Sequence, residues 1–317
     1  MNFLNILRRR WFLFILLSTS FYAIIAFYSD YDKLVRSFQN IQVLYIPAIV
    51  GIVILSLFLK SIRQRFLLGI ISTHLSIKES FLIFNAGQSL LITPGGFGSL
   101  IRTHFLKEKF GHQILKTAPV FLVERYYDIM AISAITLAVL IIKKDYTFFI
   151  PITFFILFLI IILLILRNKL LFQKTNLCLN RIPIVNKFVT NISNSHDSFL
   201  SLTTKNSILI TLPFSIICWL TDAVIAYLCF SSFHTNIGFL ETTWISFASL
   251  LLGSISLLPG GIGVIEISML NLIVRNGINL ATAFAIVAYV RLFTIWITTF
   301  IGFMTTKYIL RKNSIKT

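Results

Sequence analysis

The chain has 317 residues, of which 57% are hydrophobic and 12% charged, and its mean hydropathy is +0.88. That composition excludes a soluble globular domain and defines a polytopic, all-α integral membrane protein. The net charge of +17 is spread over the connections between apolar runs, a pattern of membrane topology and attraction to anionic headgroups that excludes a nucleic-acid surface.

Arg8, Arg9 and Arg10 lead into a first apolar run, Trp11 to Tyr28. No small-residue cleavage site follows it, so it reads as a retained anchor and not as a signal peptide. Further runs long enough to span about 30 Å of hydrocarbon are Val43 to Leu59, Pro119 to Ile142, Thr147 to Leu166, Ser207 to Phe233 and Ile278 to Thr306. About six full spans are therefore expected. Two more apolar stretches, Ser80 to Leu106 and Thr242 to Val274, each contain a helix breaker: Pro94-Gly95-Gly96-Phe97-Gly98 in the first and Pro259-Gly260-Gly261-Ile262-Gly263 in the second. Proline removes a backbone donor and clustered glycines destabilise a helix. Broken backbone is tolerated at membrane depth only where protein buries it or where it lines a polar cavity.

Lys and Arg accumulate in cytoplasmic loops. Arg8 to Arg10 place the N-terminus inside, and alternate spans then collect Lys60, Arg63, Arg65, Lys78, Arg102, Lys107, Lys109, Lys116, the stretch Arg167 to Lys205, and Lys307 to Lys316 on the same side. Only Lys33, Arg36, Lys143, Lys144 and Arg275 remain outside. Each Pro-Gly-Gly stretch is either a re-entrant hairpin or a pair of spans, and this bias favours a return to the side each entered from. They are expected to be re-entrant hairpins, the first from inside and the second from outside, with both chain ends cytoplasmic. That is an inverted repeat, whose broken helices mark a binding site near the midplane.

Between Arg167 and Asn206, Asn, Ser, Thr and Lys interrupt short apolar groups. This connection is either one or two amphipathic helices on the cytoplasmic face or a solvated linker. A second interfacial candidate is Arg65 to Ser80. The expected organisation is one membrane domain over 1–317, with a first half at 1–166, the linker at 167–206 and a second half at 207–317. Cys178, Cys218 and Cys229 lack Cys-x-x-Cys spacing, and the five histidines are scattered; no metal or other cofactor is expected.

Charged residues inside apolar spans need partners, since each costs about 2.5–3.5 kcal/mol at the bilayer centre on insertion scales. Glu124 and Asp128 share a helix face with Arg125 between them, so a local ion cluster is expected. Asp222 lies in the fifth span, Glu266 one turn beyond the second Pro-Gly-Gly, and Arg291 midway along the sixth span. Either Arg125 with Asp128 and Arg291 with Glu266 neutralise one another and fix helix packing, or these groups form a functional site.

The series Asn85, Pro94-Gly95-Gly96-x-Gly98, Arg102, Glu124-Arg125-x-x-Asp128, Pro259-Gly260-Gly261-x-Gly263-x-x-Glu266, Gly277 and Arg291 resembles the flippase-like family named for the transmembrane region of lysylphosphatidylglycerol synthase. The resemblance runs over nearly the whole chain. Its second motif is the more specific; in the first, Ser99 stands where the family commonly has an acidic residue. The resemblance implies a bacterial or archaeal plasma-membrane domain with two re-entrant elements that handles lipids, either moving an aminoacylated phospholipid between leaflets or serving a lipid-linked glycan pathway. Full-length synthases of this family carry a cytosolic domain that transfers lysine from its tRNA to phosphatidylglycerol. Eleven residues follow Thr306, so no aminoacyltransferase activity is expected.

Lipid translocation needs a route for a polar headgroup, with helix N-termini and arginines for its phosphate. The candidate substrate-binding residues are Pro94, Gly95, Gly96, Gly98, Arg102, Glu124, Arg125, Asp128, Pro259, Gly260, Gly261, Gly263, Glu266 and Arg291. Arg125 and Arg291 are the expected phosphate partners. Glu124, Asp128 and Glu266 hold those arginines or receive a lipid-borne amine, and Glu266 is also placed to couple to protons. The partners are membrane lipids. Two alternatives of other classes stand beside this one: an enzyme on a polyisoprenyl phosphate, for which no nucleophile or metal cluster is visible in the sequence, and a non-transporting anchor that holds a cytosolic or membrane transferase.

Overall fold

The computed structural model describes residues 31–91, 100–144, 146–168, 196–256 and 258–314, and every regular element among them is helical. Helices are the open-ended solution at membrane depth because each satisfies its backbone internally. In chain order they are α1 (Tyr31–Gln39), α2 (Tyr45–Ile70), α3 (Ile77–Gln88), α4 (Ile101–Phe110), α5 (Ile114–Lys143), α6 (Phe149–Arg167), α7 (His196–Leu202), α8 (Lys205–Ser231), α9 (Phe239–Ser256), α10 (Val264–Arg275) and α11 (Leu280–Arg291), then a π-helical segment, Leu292–Ile297, and α12 (Thr298–Ser314). Six helical stretches among the described residues are long and apolar enough to cross a membrane: α2, α5, α6, α8, α9 and Leu280–Arg311. The fold class is therefore an all-α polytopic membrane protein.

The membership of that set differs from the one hydropathy runs give. The run Trp11 to Tyr28 lies outside the described residues, as does the first Pro-Gly-Gly motif. α9, expected as one arm of a hairpin, is itself of spanning length. The second span does not stop at Leu59: α2 continues through Lys60, Arg63 and Arg65 to Ile70. Nothing in Ser61 to Leu68 breaks a helix, and the segment is apolar again from Phe66. The interfacial stretch expected over Arg65 to Ser80 is accordingly the end of α2, a turn, and the start of α3. Ser76 caps α3 through its hydroxyl to the Glu79 N–H at 3.2 Å, while the Glu79 carboxylate accepts from the Ser76 N–H at 3.0 Å. This is a capping box, and the two Ser76 donors hold the Glu79 carboxyl below the usual carboxylate range.

The described chain divides into two compact units. One comprises 57–84 and the described part of 100–219. Its core joins Leu67 and Leu68 of α2, Ile83 of α3, Leu106 of α4, Val120, Phe121 and Tyr127 of α5, and Leu202 of α7. Tyr127 donates its hydroxyl to the Leu202 carbonyl at 3.1 Å, which fixes α7 against α5. α6 packs on α5 and leaves Ile150, Phe154, Phe158, Ile161 and Leu164 exposed along one face, the surface expected of a helix bathed in lipid.

The other unit comprises 31–56, 85–91 and the described part of 220–314. Each unit thus draws on both sequence halves. In this one, α9 and α10 form a helical hairpin joined at the second Pro-Gly-Gly motif, and α11 packs against α10. α1 lies on α11, with Leu34 buried and Ser37 Oγ 3.0 Å from Thr282 Oγ1. α11, the π segment and α12 run on without a break. Along α12, Gly302 meets the end of α3: a Cβ there would stand 2.7 Å from the Asn85 carbonyl oxygen and 2.8 Å from the Gln88 carbonyl carbon. One turn later Thr306 donates to the Ala86 carbonyl at 3.2 Å. Glycine is required here because the obstacles are backbone atoms.

Candidate functional site

Among the described residues the arginine–carboxylate contacts at membrane depth fall into two groups, one in each unit. In the first unit α2, α4, α5 and α8 bring together Arg63, Arg102, Glu124, Arg125 and Asp128. Arg63 is 1% exposed; its Nη1 donates to Asp128 Oδ1 at 2.7 Å and to Ser215 Oγ at 2.9 Å, and its Nη2 to Glu124 Oε1 at 3.2 Å. Arg102 Nη1 lies 2.9 Å from Glu124 Oε2 and donates to Gln64 Oε1 at 2.7 Å. Its guanidinium carbon is 4.4 Å from the Phe121 ring centroid and 5.0 Å from that of Phe84, so aromatic faces replace water around the charge. Asp128 Oδ1 also accepts from the Trp219 indole N–H at 2.9 Å, and Lys60 Nζ sits 4.7 Å over the Trp219 ring.

The local ion cluster expected from Glu124-Arg125-x-x-Asp128 therefore has different principal partners. Arg125 is the looser member: its Nη1 is 3.7 Å from Asp128 Oδ2, its side chain is 33% exposed, and among the described residues its buried Nε has no hydrogen-bond partner. Arg63 and Arg102 are corrections to the charge assignment, which counts both in cytoplasmic loops, whereas both are buried in helices among these carboxylates. A signal for Arg63 was present. Ile49, Val53, Ser56 and Arg63 follow one another at helical spacing along a buried face of α2, so Arg63 continues an inward stripe.

In the second unit the second motif forms one tight turn. Gly260, Gly261 and Gly263 have φ of 60°, 66° and 87°, a left-handed region that glycine enters without steric cost. Ile265 packs onto Gly253 of α9 and Gly261, which lets α9 and α10 close on each other. Glu266 Oε2 accepts from the Gly263 N–H at 2.7 Å, and its Oε1 accepts from Arg291 Nε at 2.7 Å. Arg291 Nη2 reaches the Gly260 carbonyl at 2.7 Å. With side chains 5% and 3% exposed, Arg291 and Glu266 tie the turn to α11 and to the first turn of α10.

Of the sequence-derived candidates, Pro94, Gly95, Gly96 and Gly98 lie outside the described residues. Pro259, Gly260, Gly261, Gly263, Glu266 and Arg291 come together in one unit; Arg102, Glu124, Arg125 and Asp128 come together in the other. Arg63, Gln64, Ser215 and Trp219 join the latter group as members not anticipated. Asp222 pairs elsewhere, accepting from Ser56 Oγ at 2.7 Å. Among the described residues no cluster of three His, Cys, Asp or Glu is placed to hold a metal, and Cys218 and Cys229 are buried and in no disulfide.

Spanning helices, a helical hairpin broken at Pro-Gly-Gly and buried arginine–carboxylate groups define a polytopic membrane protein with intramembrane polar sites. The chain belongs to the family of the lysylphosphatidylglycerol synthase TM region, whose model matches residues 12–302. That model describes a membrane region and includes no catalytic domain. Curated relatives are archaeal UPF0104 membrane proteins. One, from Pyrococcus horikoshii, is 32% identical over 120 residues, which is 38% of this chain and 36% of that protein. Another, from Methanocaldococcus jannaschii, is 25% identical over 230 residues, 71% of this chain and 95% of that protein. The match thus spans about a third of the former and nearly all of the latter.

Proposed function

We propose that this protein is a lipid translocator that binds the phosphate of a phospholipid or lipid-linked precursor at Arg125. One observation carries the reading: three arginines, Arg63, Arg102 and Arg125, face two carboxylates, and the unmatched charge falls on the one guanidinium that is partly open and held at 3.7 Å. An unmatched cation among spanning helices is costly unless an anion joins it, and a phosphate offers the oxygens an arginine fork engages. Gln64, Ser215 and Trp219 hold the other members in place.

In this reading the α9–α10 hairpin is re-entrant. α10 has 12 residues and rises about 18 Å, short of a hydrocarbon core of about 30 Å, which supports a turn at membrane depth. On the same reading the hairpin is the second half of an inverted repeat, with both chain ends cytoplasmic. Membrane lipids are the partners in this reading.

The test is reconstitution of the full chain in liposomes holding headgroup-labelled phosphatidylglycerol, with and without a proton gradient. Protein-dependent exposure of inner-leaflet label to an impermeant quencher is the expected result. An unchanged protected fraction would overturn the proposal, and conversion of the lipid to a new mass would favour an enzyme. In the same vesicles an impermeant thiol reagent added from the cytoplasmic face should reach Lys107→Cys and miss Lys144→Cys; the reverse would refute the orientation.

A further inference from the structure

At the end of α9 remote from the Gly260–Gly263 turn, a cavity of about 550 Å³ opens between the connection at 233–238 and the connection at 276–279. It lies wholly within one unit. Its volume falls among those of small-molecule sites, about 300–1,000 Å³. Both connections bend through left-handed residues, His234 at φ 53° and Gly277 at φ 83°. Three cross-links from distant parts of the chain hold the walls: Asn276 Nδ2 donates to Glu241 Oε1 at 3.2 Å, Ser37 Oγ lies 3.0 Å from Thr282 Oγ1, and Gln42 Nε2 lies 2.7 Å from the His234 ring. The site is therefore largely formed before any ligand arrives.

The lining chemistry differs from that of the arginine cluster. Among the described residues no Lys or Arg lines the cavity, and Glu241 gives it one negative charge. An anion has no counter-charge there. The polar lining offers both donors and acceptors. The Asn276 amide N–H groups are taken by Glu241 and the Leu272 carbonyl, and the Asn279 amide oxygen by the Thr282 N–H, so the Asn236 amide and the Asn279 amide N–H groups, beside the Glu241 carboxylate, are what a ligand meets. An ammonium only donates, so it would use Glu241 and leave the amide donors unmatched, at a cost once they are shielded from water. Hydroxyl groups donate and accept alike.

We propose that this cavity binds a neutral polyhydroxylated group, a sugar ring, supplied either by a free sugar or by the headgroup of a glycolipid. The inference stands apart from the phosphate reading, since it uses none of the arginine cluster.

The test uses the full chain in nanodiscs without glycoside detergent, with methyl β-D-glucopyranoside as the probe and saturation-transfer NMR as the readout. The expected result is transfer to the sugar protons that Asn236→Ala and Glu241→Gln each reduce by about fivefold, in the range for a lost hydrogen bond. Arg125→Gln should leave the transfer unchanged. Glu241→Gln keeps the carbonyl oxygen that Asn276 uses, so unfolding does not explain its effect; melting curves check both variants. Monoglucosyl diacylglycerol built into the disc separates the sources: loss of the free-sugar signal identifies a lipid headgroup, and an undiminished signal identifies a soluble sugar. No transfer from the free probe, or transfer insensitive to both substitutions, would overturn the proposal.

Discussion

The two charged groups use the same residue types and reach different ends. At the second Pro-Gly-Gly turn, one arginine meets one carboxylate, and the remaining reach of each goes to backbone: Glu266 to the Gly263 N–H and Arg291 to the Gly260 carbonyl. The pair is balanced and closed. Around Asp128 and Glu124, three arginines share two carboxylates, and two of them are consumed by contacts of 2.7–3.2 Å while Arg125 stays at 3.7 Å. The comparison teaches that burial of an ion pair does not by itself indicate a ligand site. Stoichiometry and the geometry of the last member do, because only an unbalanced group gains by admitting an anion.

Substitutions separate the two cases, and the largest stability effect belongs to the closed pair. Arg291→Gln leaves the buried Glu266 carboxylate without its counter-charge and should cost about 4 kcal/mol, whereas Arg291→Gln with Glu266→Gln should recover most of it. Thermal unfolding in nanodiscs measures both. Failure of the double variant to recover would mean that Arg291 does more than clamp the turn. Arg63→Gln is next, at about 3 kcal/mol, since Glu124 keeps Arg102 and Asp128 keeps Arg125. It should also lower lipid transport, because Arg125 is then the counter-ion of Asp128. Stability lost with transport kept would break the comparison. Gly302→Ala sets a Cβ against the backbone of 85–88 and should cost about 2 kcal/mol; a melting temperature equal to the parent's would show that α12 and the end of α3 are more loosely joined than their contacts imply.

Five of the six spanning stretches among the described residues were legible because length and hydropathy answer directly to bilayer thickness; the sixth, α9, reads in the sequence as a hairpin arm. The turn was legible because Pro259, Gly260 and Gly261 leave few other conformations. The pairing of Arg291 with Glu266 was one of two readings open in the sequence. Arg63 escaped because apolar runs are counted up to the first charge, while a helix ignores that charge when its face is covered; the Ile49-Val53-Ser56-Arg63 stripe held the information. Contacts such as Arg102 with Gln64 and Asp128 with Trp219 join residues far apart in sequence. No local pattern encodes them. The helix α1 was missed for another reason: nine residues with few strong apolar positions earn helical structure only by packing on α11.

The central claim is that Arg125 is the arginine available to a lipid phosphate, and Arg125→Gln tests it most directly. Measured side by side in the same vesicles, this variant should keep the parent's melting temperature, since Arg63 and Arg102 still neutralise both carboxylates. It should also lose transport of labelled phosphatidylglycerol by about tenfold or more, the scale of one charge-assisted hydrogen bond. Transport equal to the parent's, or a melting temperature as low as that of Arg63→Gln, would contradict the account.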